Sequence, residues 1–187
     1  GPSTIGLDTL AKSGGLIPRR FLEDAGVAAP LIEAQDSLTG VRRGFPSVLT
    51  IGAMGDERLA ERLRESLRAA QIPCWSIVVD DEPSLQSGAT ILTDTVYFDR
   101  VVFLCTSSSL ESPQTRRYMS ELAGEKNQDP KRNIISLAAD RLFDHSQDVL
   151  CVRLKQGAVV DFRDWEDDGV FQTAVASLVD VLSRAGS

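Results

Sequence analysis

The chain has 187 residues, of which 42% are hydrophobic and 25% are charged, and its formal net charge is −7. This size suits one domain, or one domain with an arm, and the composition argues against a disordered or fibrous protein. The basic residues are scattered among acidic ones without forming a stripe, so we expect no nucleic-acid partner.

Membrane and metal partners are also disfavoured by the residue pattern. No apolar run approaches the roughly 18 residues needed to cross a bilayer, and the amino terminus lacks a signal-peptide pattern. We therefore expect a cytoplasmic protein without a membrane partner. The cysteines show no CxxC spacing and His145 is the single histidine, which argues against a metal site. A role as small core residues in a reducing compartment is predicted for Cys74, Cys105 and Cys151.

The first 46 residues differ in pattern from the rest of the chain. Residues 1–3 (Gly-Pro-Ser) are typical of a remnant of tag removal and are left out of the fold prediction. Residues 4–46 are predicted to form an amphipathic arm or linker, in which glycines interrupt the apolar positions. This segment is too short to be a domain of its own. Residues 47–187 are predicted to form one domain.

Apolar runs of strand length alternate with segments of helical period from residue 47 onward. Strands are predicted over 47–52, 72–79, 101–105, 133–139 and 148–154. Helices are predicted over 56–70, about 89–97, 107–125 and 169–184. The acidic stretch 80–88 is predicted to be a loop, and the segment around His145 is predicted to be irregular.

The third predicted strand carries the most information about topology. Its five consecutive apolar residues, 101–105, indicate burial on both faces, as in a central parallel strand. The alternation as a whole predicts an α/β domain of the flavodoxin-like kind, with five parallel strands and helices on both faces. Functional groups are then expected at the carboxyl ends of the strands.

Several short motifs stand in a characteristic order along the chain. They lie at residues 17–27, 56–63, 72–75, 98–104, 109–112 and 161–165. In this order and spacing the chain resembles bacterial TIR (Toll/interleukin-1 receptor) domains, in particular those that follow pentapeptide repeats. The resemblance spans roughly residues 15 to 185 and implies the flavodoxin-like TIR fold.

The resemblance also implies a chemistry. Many bacterial TIR domains cleave the bond between nicotinamide and ribose in NAD, using a glutamate on the helix after the third strand. A carboxylate suits this reaction because it stabilises an oxocarbenium-like transition state. NAD would then be a substrate, with no permanently bound cofactor and no metal. Such domains become active when copies associate through the loop after the second strand, so the implied partners are other copies or other TIR domains.

The resemblance assigns site residues, and two alignments of the catalytic helix remain open. Counted without gaps from Ser112, Gln114 takes the place of the family's tryptophan and Tyr118 that of its glutamate. If a short insertion at 112–115 displaces the helix start, Glu121 is the catalytic carboxylate. The residues expected to line the nucleotide cleft are Gly52, Ala53, Trp75, Asp81, Gly88 and Ser107.

Plainer roles compete with several of these assignments. Gly52 and Ala53 stand where the family usually has a polar serine, tyrosine, serine run. The serines at 107–109 are more typical of helix capping than of nucleophiles. Two functions therefore remain open: an NAD-cleaving enzyme, and a catalytically degenerate scaffold for contacts between TIR domains.

Overall fold

Five parallel strands form one sheet at the centre of the fold. The computed structural model describes residues 19–26, 32, 46–80, 98–124 and 133–184. The strands run in the spatial order β2-β1-β3-β4-β5, which is the flavodoxin-like order. Their bounds are β1 Val48–Ala53, β2 Cys74–Val79, β3 Arg100–Cys105, β4 Asn133–Ala138 and β5 Ala158–Asp161. The predicted fold class is confirmed.

Seven helices have defined bounds in the described part of the chain, and Ile32 is a further helical residue. Their bounds are α1 Arg19–Asp24, α2 Glu57–Ala69, α3 Ser107–Glu111, α4 Pro113–Leu122, α5 Arg141–His145, α6 Val149–Lys155 and α7 Asp168–Arg184. None of these helices is long and apolar enough to cross a bilayer. The single helix predicted over 107–125 is in fact two, because the chain breaks from helical geometry at Ser112.

The third strand is central, as its apolar run predicts. All six residues of β3 are buried, and its side chains alternate between two apolar clusters on opposite faces of the sheet. Val102 and Leu104 pack into one cluster, whereas Val101, Phe103 and Cys105 pack into the other. Burial on both faces is what distinguishes a central parallel strand.

Helices cover both faces of the sheet. On one face, α2 and α7 contribute the buried side chains Leu59, Leu63, Leu67, Phe171 and Leu178. On the other face, α3 to α6 contribute Leu110, Tyr118, Met119, Phe143 and Leu150. Two apolar layers therefore hold the sheet, one on each face. The carboxyl ends of the strands continue into loops.

The prediction for the fifth strand is wrong. Residues 149–155 form helix α6, and the fifth strand is β5 at Ala158–Asp161. The Asp148 carboxylate accepts a hydrogen bond from the Leu150 amide and caps α6. The buried residues Leu150, Cys151 and Leu154 then follow helical spacing. The segment around His145, predicted to be irregular, contains helix α5.

The turn between β5 and α7 is held against α2 by Arg62. Its guanidinium donates to the Trp165 carbonyl oxygen at 2.8 Å and to the Asp168 carboxylate at 2.8 Å. It also lies 4.0 Å from the centroid of the Phe171 ring, in cation–π geometry. These contacts give the motif at 161–165 a structural role, since they fix where α7 begins.

Some predicted features lie outside the described residues. They are the helix over 89–97, the loop over 80–88 beyond Asp80, and most of the arm. Within the arm, α1 is described and the side chains of Leu22 and Ile32 are buried.

Candidate functional site

The carboxyl ends of β1 and β3 meet at the point where the strand order reverses. From β1 the chain crosses to β2 on one side, and β3 lies on the other side. In open parallel sheets this reversal opens the crevice in which ligands bind. β1 ends at Ala53 and β3 ends at Cys105, so the loops leading into α2 and α3 form the candidate site.

Polar groups from both loops form one buried network, which we call the Asp56 cluster: the Ala53 amide, Asp56, Thr106 and Ser109. Asp56 Oδ2 accepts hydrogen bonds from the Ser109 hydroxyl at 2.6 Å and from the Ala53 amide at 2.9 Å. Asp56 Oδ1 accepts from the Thr106 hydroxyl at 2.8 Å. The Ser109 oxygen also accepts from the Ala53 amide, at 3.1 Å. The carboxylate therefore joins the two loops.

The local sequence explains why these groups turn inward. Asp56 stands at the N-cap position of α2, yet its side chain makes no capping hydrogen bond to that helix. The N-cap of α3 is Thr106, whose hydroxyl oxygen accepts from the Ser109 amide. Asp56 is 4% exposed and Ser109 is fully buried, so their polar atoms need partners within the protein. The network supplies those partners.

Two glycines let the loops approach this closely. A Cβ atom at Gly52 would lie 2.9 Å from Leu104 Cδ1 and 3.0 Å from Asp56 Oδ2. Gly55 has a φ of +103°, and a Cβ atom there would lie 3.0 Å from Ser108 Oγ. A side chain at either position would thus meet the protein's own atoms.

Ser107 lies beside this cluster and has a separate partner. Its hydroxyl and amide lie close enough to the Asp140 carboxylate to stabilise its charge. The pKa of Asp140 is lowered, first by the Leu142 amide and then by the Ser107 hydroxyl, because both donate to the ionised carboxyl. Ser107 therefore faces the turn after β4 and not the Asp56 cluster.

Trp75 lies away from the Asp56 cluster. In the register of the sheet Trp75 pairs with Leu49, whereas Ala53 pairs with Val79. Trp75 is therefore roughly 13 Å along β2 from the carboxyl edge, at about 3.3 Å per residue. Its ring packs edge-on against Phe98, with centroids 5.2 Å apart. The structure brings Gly52 and Ala53 next to α3 but does not bring Trp75 there, and Asp81 and Gly88 lie outside the described residues.

The helix that carries Glu121 begins without an inserted loop. Ser112 is the N-cap of α4, its oxygen accepts from the Thr115 amide, and Pro113 is the first helical residue. Tyr118 is 6% exposed and packs in the core. The side chain of Glu121 is 38% exposed, and its Oε1 accepts from Arg117 Nε at 3.0 Å, one turn earlier.

The direction of α4 separates Glu121 from the strand ends. A helix that follows a parallel strand runs back toward the amino edge of the sheet. α3 starts at the carboxyl edge, and Glu121 lies near the end of the ten-residue helix α4. A helix of that length covers about 15 Å. By this rule we expect Glu121 to lie toward the opposite edge from the Asp56 cluster.

The cysteines are buried, as their apolar surroundings predict. All three are free thiols. Burial raises the pKa of Cys74 and of Cys105 to about 12. A thiol that keeps its proton is a poor nucleophile, so neither residue suits covalent catalysis.

The burial of these thiols predicts how the free energy of unfolding depends on pH. The native thiols of Cys74 and Cys105 keep their protons up to about pH 12, whereas an exposed thiol loses its proton near pH 9. Between these values the unfolded state binds fewer protons, so these two thiols should lower the free energy of unfolding as pH rises, and they should contribute little change well below pH 9. Urea unfolding at stepped pH measures this. Cys74→Ala should show a shallower decline, and an equal decline would contradict the prediction.

Comparison with known proteins adds no assignment. No protein-family model matches the chain, and no curated protein matches it. Among the described residues, no group of three or more His, Cys, Asp or Glu side chains is arranged to hold a metal ion.

Proposed function

We propose that this chain is a TIR-type interaction module of bacterial defence or stress signalling, which joins other copies or other TIR domains and has no working NAD-cleaving carboxylate. The order of the sequence motifs supports the TIR assignment, and the flavodoxin-like strand order is compatible with it. One observation carries the functional part: Tyr118 occupies the ungapped glutamate position and is buried, while Glu121 pairs with Arg117 on the helix surface.

The chemistry explains why this observation matters. A catalytic carboxylate must face the forming oxocarbenium ion in a cleft that excludes water. The Glu121 carboxylate is partly exposed and already accepts a hydrogen bond from a guanidinium. The ungapped alignment, in which Tyr118 replaces the glutamate, also agrees with a helix that begins directly after Ser112.

NAD cleavage is the second candidate function. It is favoured by the central position of β3, which is followed by helices that include a glutamate. In that case NAD is the substrate, Glu121 is the catalytic residue, and the loop at 80–88 mediates the association that activates it.

One set of samples can test both candidates. Sedimentation velocity over a wide concentration range measures association, and chromatography of the same samples with added NAD and a crowding agent measures nicotinamide release. We expect association that grows with concentration, and no release above the blank for the parent chain or for Glu121→Gln. Release that disappears in Glu121→Gln would overturn the proposal in favour of the enzyme. A chain that stays monomeric and binds no TIR domain would overturn the interaction role.

A further inference from the structure

A groove of about 530 Å³ lies between the end of β5 and one flank of α7. Its walls include Val170, Thr173, Ala174 and Ser177 from α7, together with the charged residues Asp161, Arg163 and Asp167. The four α7 residues recur at the three- and four-residue spacing that puts side chains on one side of a helix. The groove therefore runs along one side of α7.

The groove lies on the flank of α7 that is opposite to α2. The inner face of α7 buries Phe171 and Leu178 against the sheet. Asp168, at the start of α7, pairs with Arg62 of α2. At 100° per residue, the groove residues lie on the flank opposite to the one that meets α2. This flank looks toward the outer side of β5.

Within the described residues, β5 has outward backbone groups without a strand partner at the same place. Among the described strands, β5 pairs with β4 alone. The Phe162 amide donates to the Ala138 carbonyl oxygen, so by the two-residue alternation of a strand the amides of Val159 and Asp161 point to the outer edge. The side chain of Val159 is 41% exposed. An edge of this kind can accept an added strand.

The charge around the groove selects the partner. Residues 161–167 (Asp-Phe-Arg-Asp-Trp-Glu-Asp) contain four acidic side chains and one basic side chain, and Asp161, Asp167 and the basic residue line the groove itself. That basic side chain, Arg163, is bound to Asp161 at 2.6 Å and to Asp144 at 2.9 Å. The surface therefore favours a basic segment. It disfavours the acidic loop at 80–88 of a second copy, and the net charge of −7 opposes contact between copies on this face.

We infer that the groove and the β5 edge together dock an extended, basic segment of a partner protein. The segment would add a strand beside β5, place its basic side chains near the acidic residues of the stretch 161–167, and lay its apolar side chains beside Val170 and Ala174. This inference rests on the proposed interaction function, and it names the chemistry of the partner.

A synthetic peptide can test the inference directly. The probe is a fluorescein-labelled octapeptide that alternates arginine with valine, and the control peptide alternates glutamate with valine. We expect anisotropy to report saturable binding of the arginine peptide, weaker at high salt, and no binding of the glutamate peptide. Binding of the two peptides with equal affinity would overturn the inference, and so would the absence of binding by the arginine peptide.

Two variants locate the bound peptide. Val159→Pro removes an outward amide but no ladder bond to β4, and the loss of about one hydrogen bond should weaken binding up to roughly tenfold. Thr173→Arg should abolish binding by filling the groove with bulk and positive charge. Ser183→Arg adds the same charge to another side of α7 and should leave binding unchanged. Circular dichroism checks that each variant is folded.

The outcomes separate this inference from the proposed function. Peptide binding that Val159→Pro and Thr173→Arg both leave unchanged would overturn the groove assignment. Self-association that Thr173→Arg abolishes, without peptide binding, would show that a second copy occupies the groove and would also overturn the inference. Association that persists in both variants leaves the interaction role standing, since it would then use another surface.

Discussion

Asp56→Ala is expected to lower the free energy of unfolding by about 2–4 kcal/mol. Removing the carboxylate leaves the hydroxyls of Ser109 and Thr106 without the acceptor they use, in a site where Asp56 and Ser109 are buried. A buried donor without a partner costs about 1–3 kcal/mol. The link between the loops after β1 and β3 would also be lost. Urea unfolding followed by circular dichroism measures the change.

Two further variants make the Asp56 result interpretable. Asp56→Asn keeps one acceptor oxygen and should cost about half as much as the alanine variant. Asp180→Ala removes an exposed carboxylate that pairs with Arg184 one turn away, and it should stay within about 0.5 kcal/mol of the parent chain. An Asp56→Ala variant as stable as Asp180→Ala would contradict the structural role of the Asp56 cluster.

Gly52→Val is expected to have a comparable effect by crowding rather than by loss of contacts. A Cβ atom at Gly52 would lie 2.9 Å from Leu104 Cδ1 and 3.0 Å from Asp56 Oδ2. Leu104 is fully buried and the Asp56 oxygen is held by two hydrogen bonds, so neither can move away freely. Overpacking of this kind costs about 1–3 kcal/mol, and the branched side chain of valine should reach at least the upper end of that range.

The matched control for Gly52 is Gly157. A Cβ atom at Gly157 would lie 3.6 Å from the Leu154 carbonyl oxygen, which is an ordinary contact. Gly157→Ala should therefore be near neutral, whereas Gly52→Ala should already destabilise the chain measurably. Equal unfolding midpoints for these two alanine variants would show that the space over the end of β1 is less filled than the structure indicates.

The sheet could be predicted because its signal is local. Five consecutive apolar residues place β3 at the centre, and the amphipathic repeat of Leu59, Leu63 and Leu67 identifies α2. The fifth strand was missed because Val149 to Val152 is as apolar as a strand. In the structure these residues form a helix that Asp148 caps. The true strand, β5, has only four residues, and one of them is buried. A pattern that short carries little information.

The candidate site could be predicted only in part, because its contacts join distant parts of the chain. Asp56 meets Thr106 and Ser109, which follow some fifty residues later, and nothing at the start of α2 signals that its aspartate turns away from its own helix. The spacing of Tyr118, Met119 and Leu122 does contain a signal, since these residues mark the inner face of α4. That spacing puts Glu121 outside the inner face.

We propose that the Asp56 cluster occupies the ends of β1 and β3, and that no carboxylate on α4 acts on a nucleotide there. Titrating NAD into isotopically labelled protein, and following the amide resonances of Gly52, Ala53 and Ser109 by NMR, tests this most directly. We expect these resonances to stay in place up to high NAD concentration. Saturable shifts of all three, accompanied by nicotinamide release that Glu121→Gln abolishes, would contradict the account.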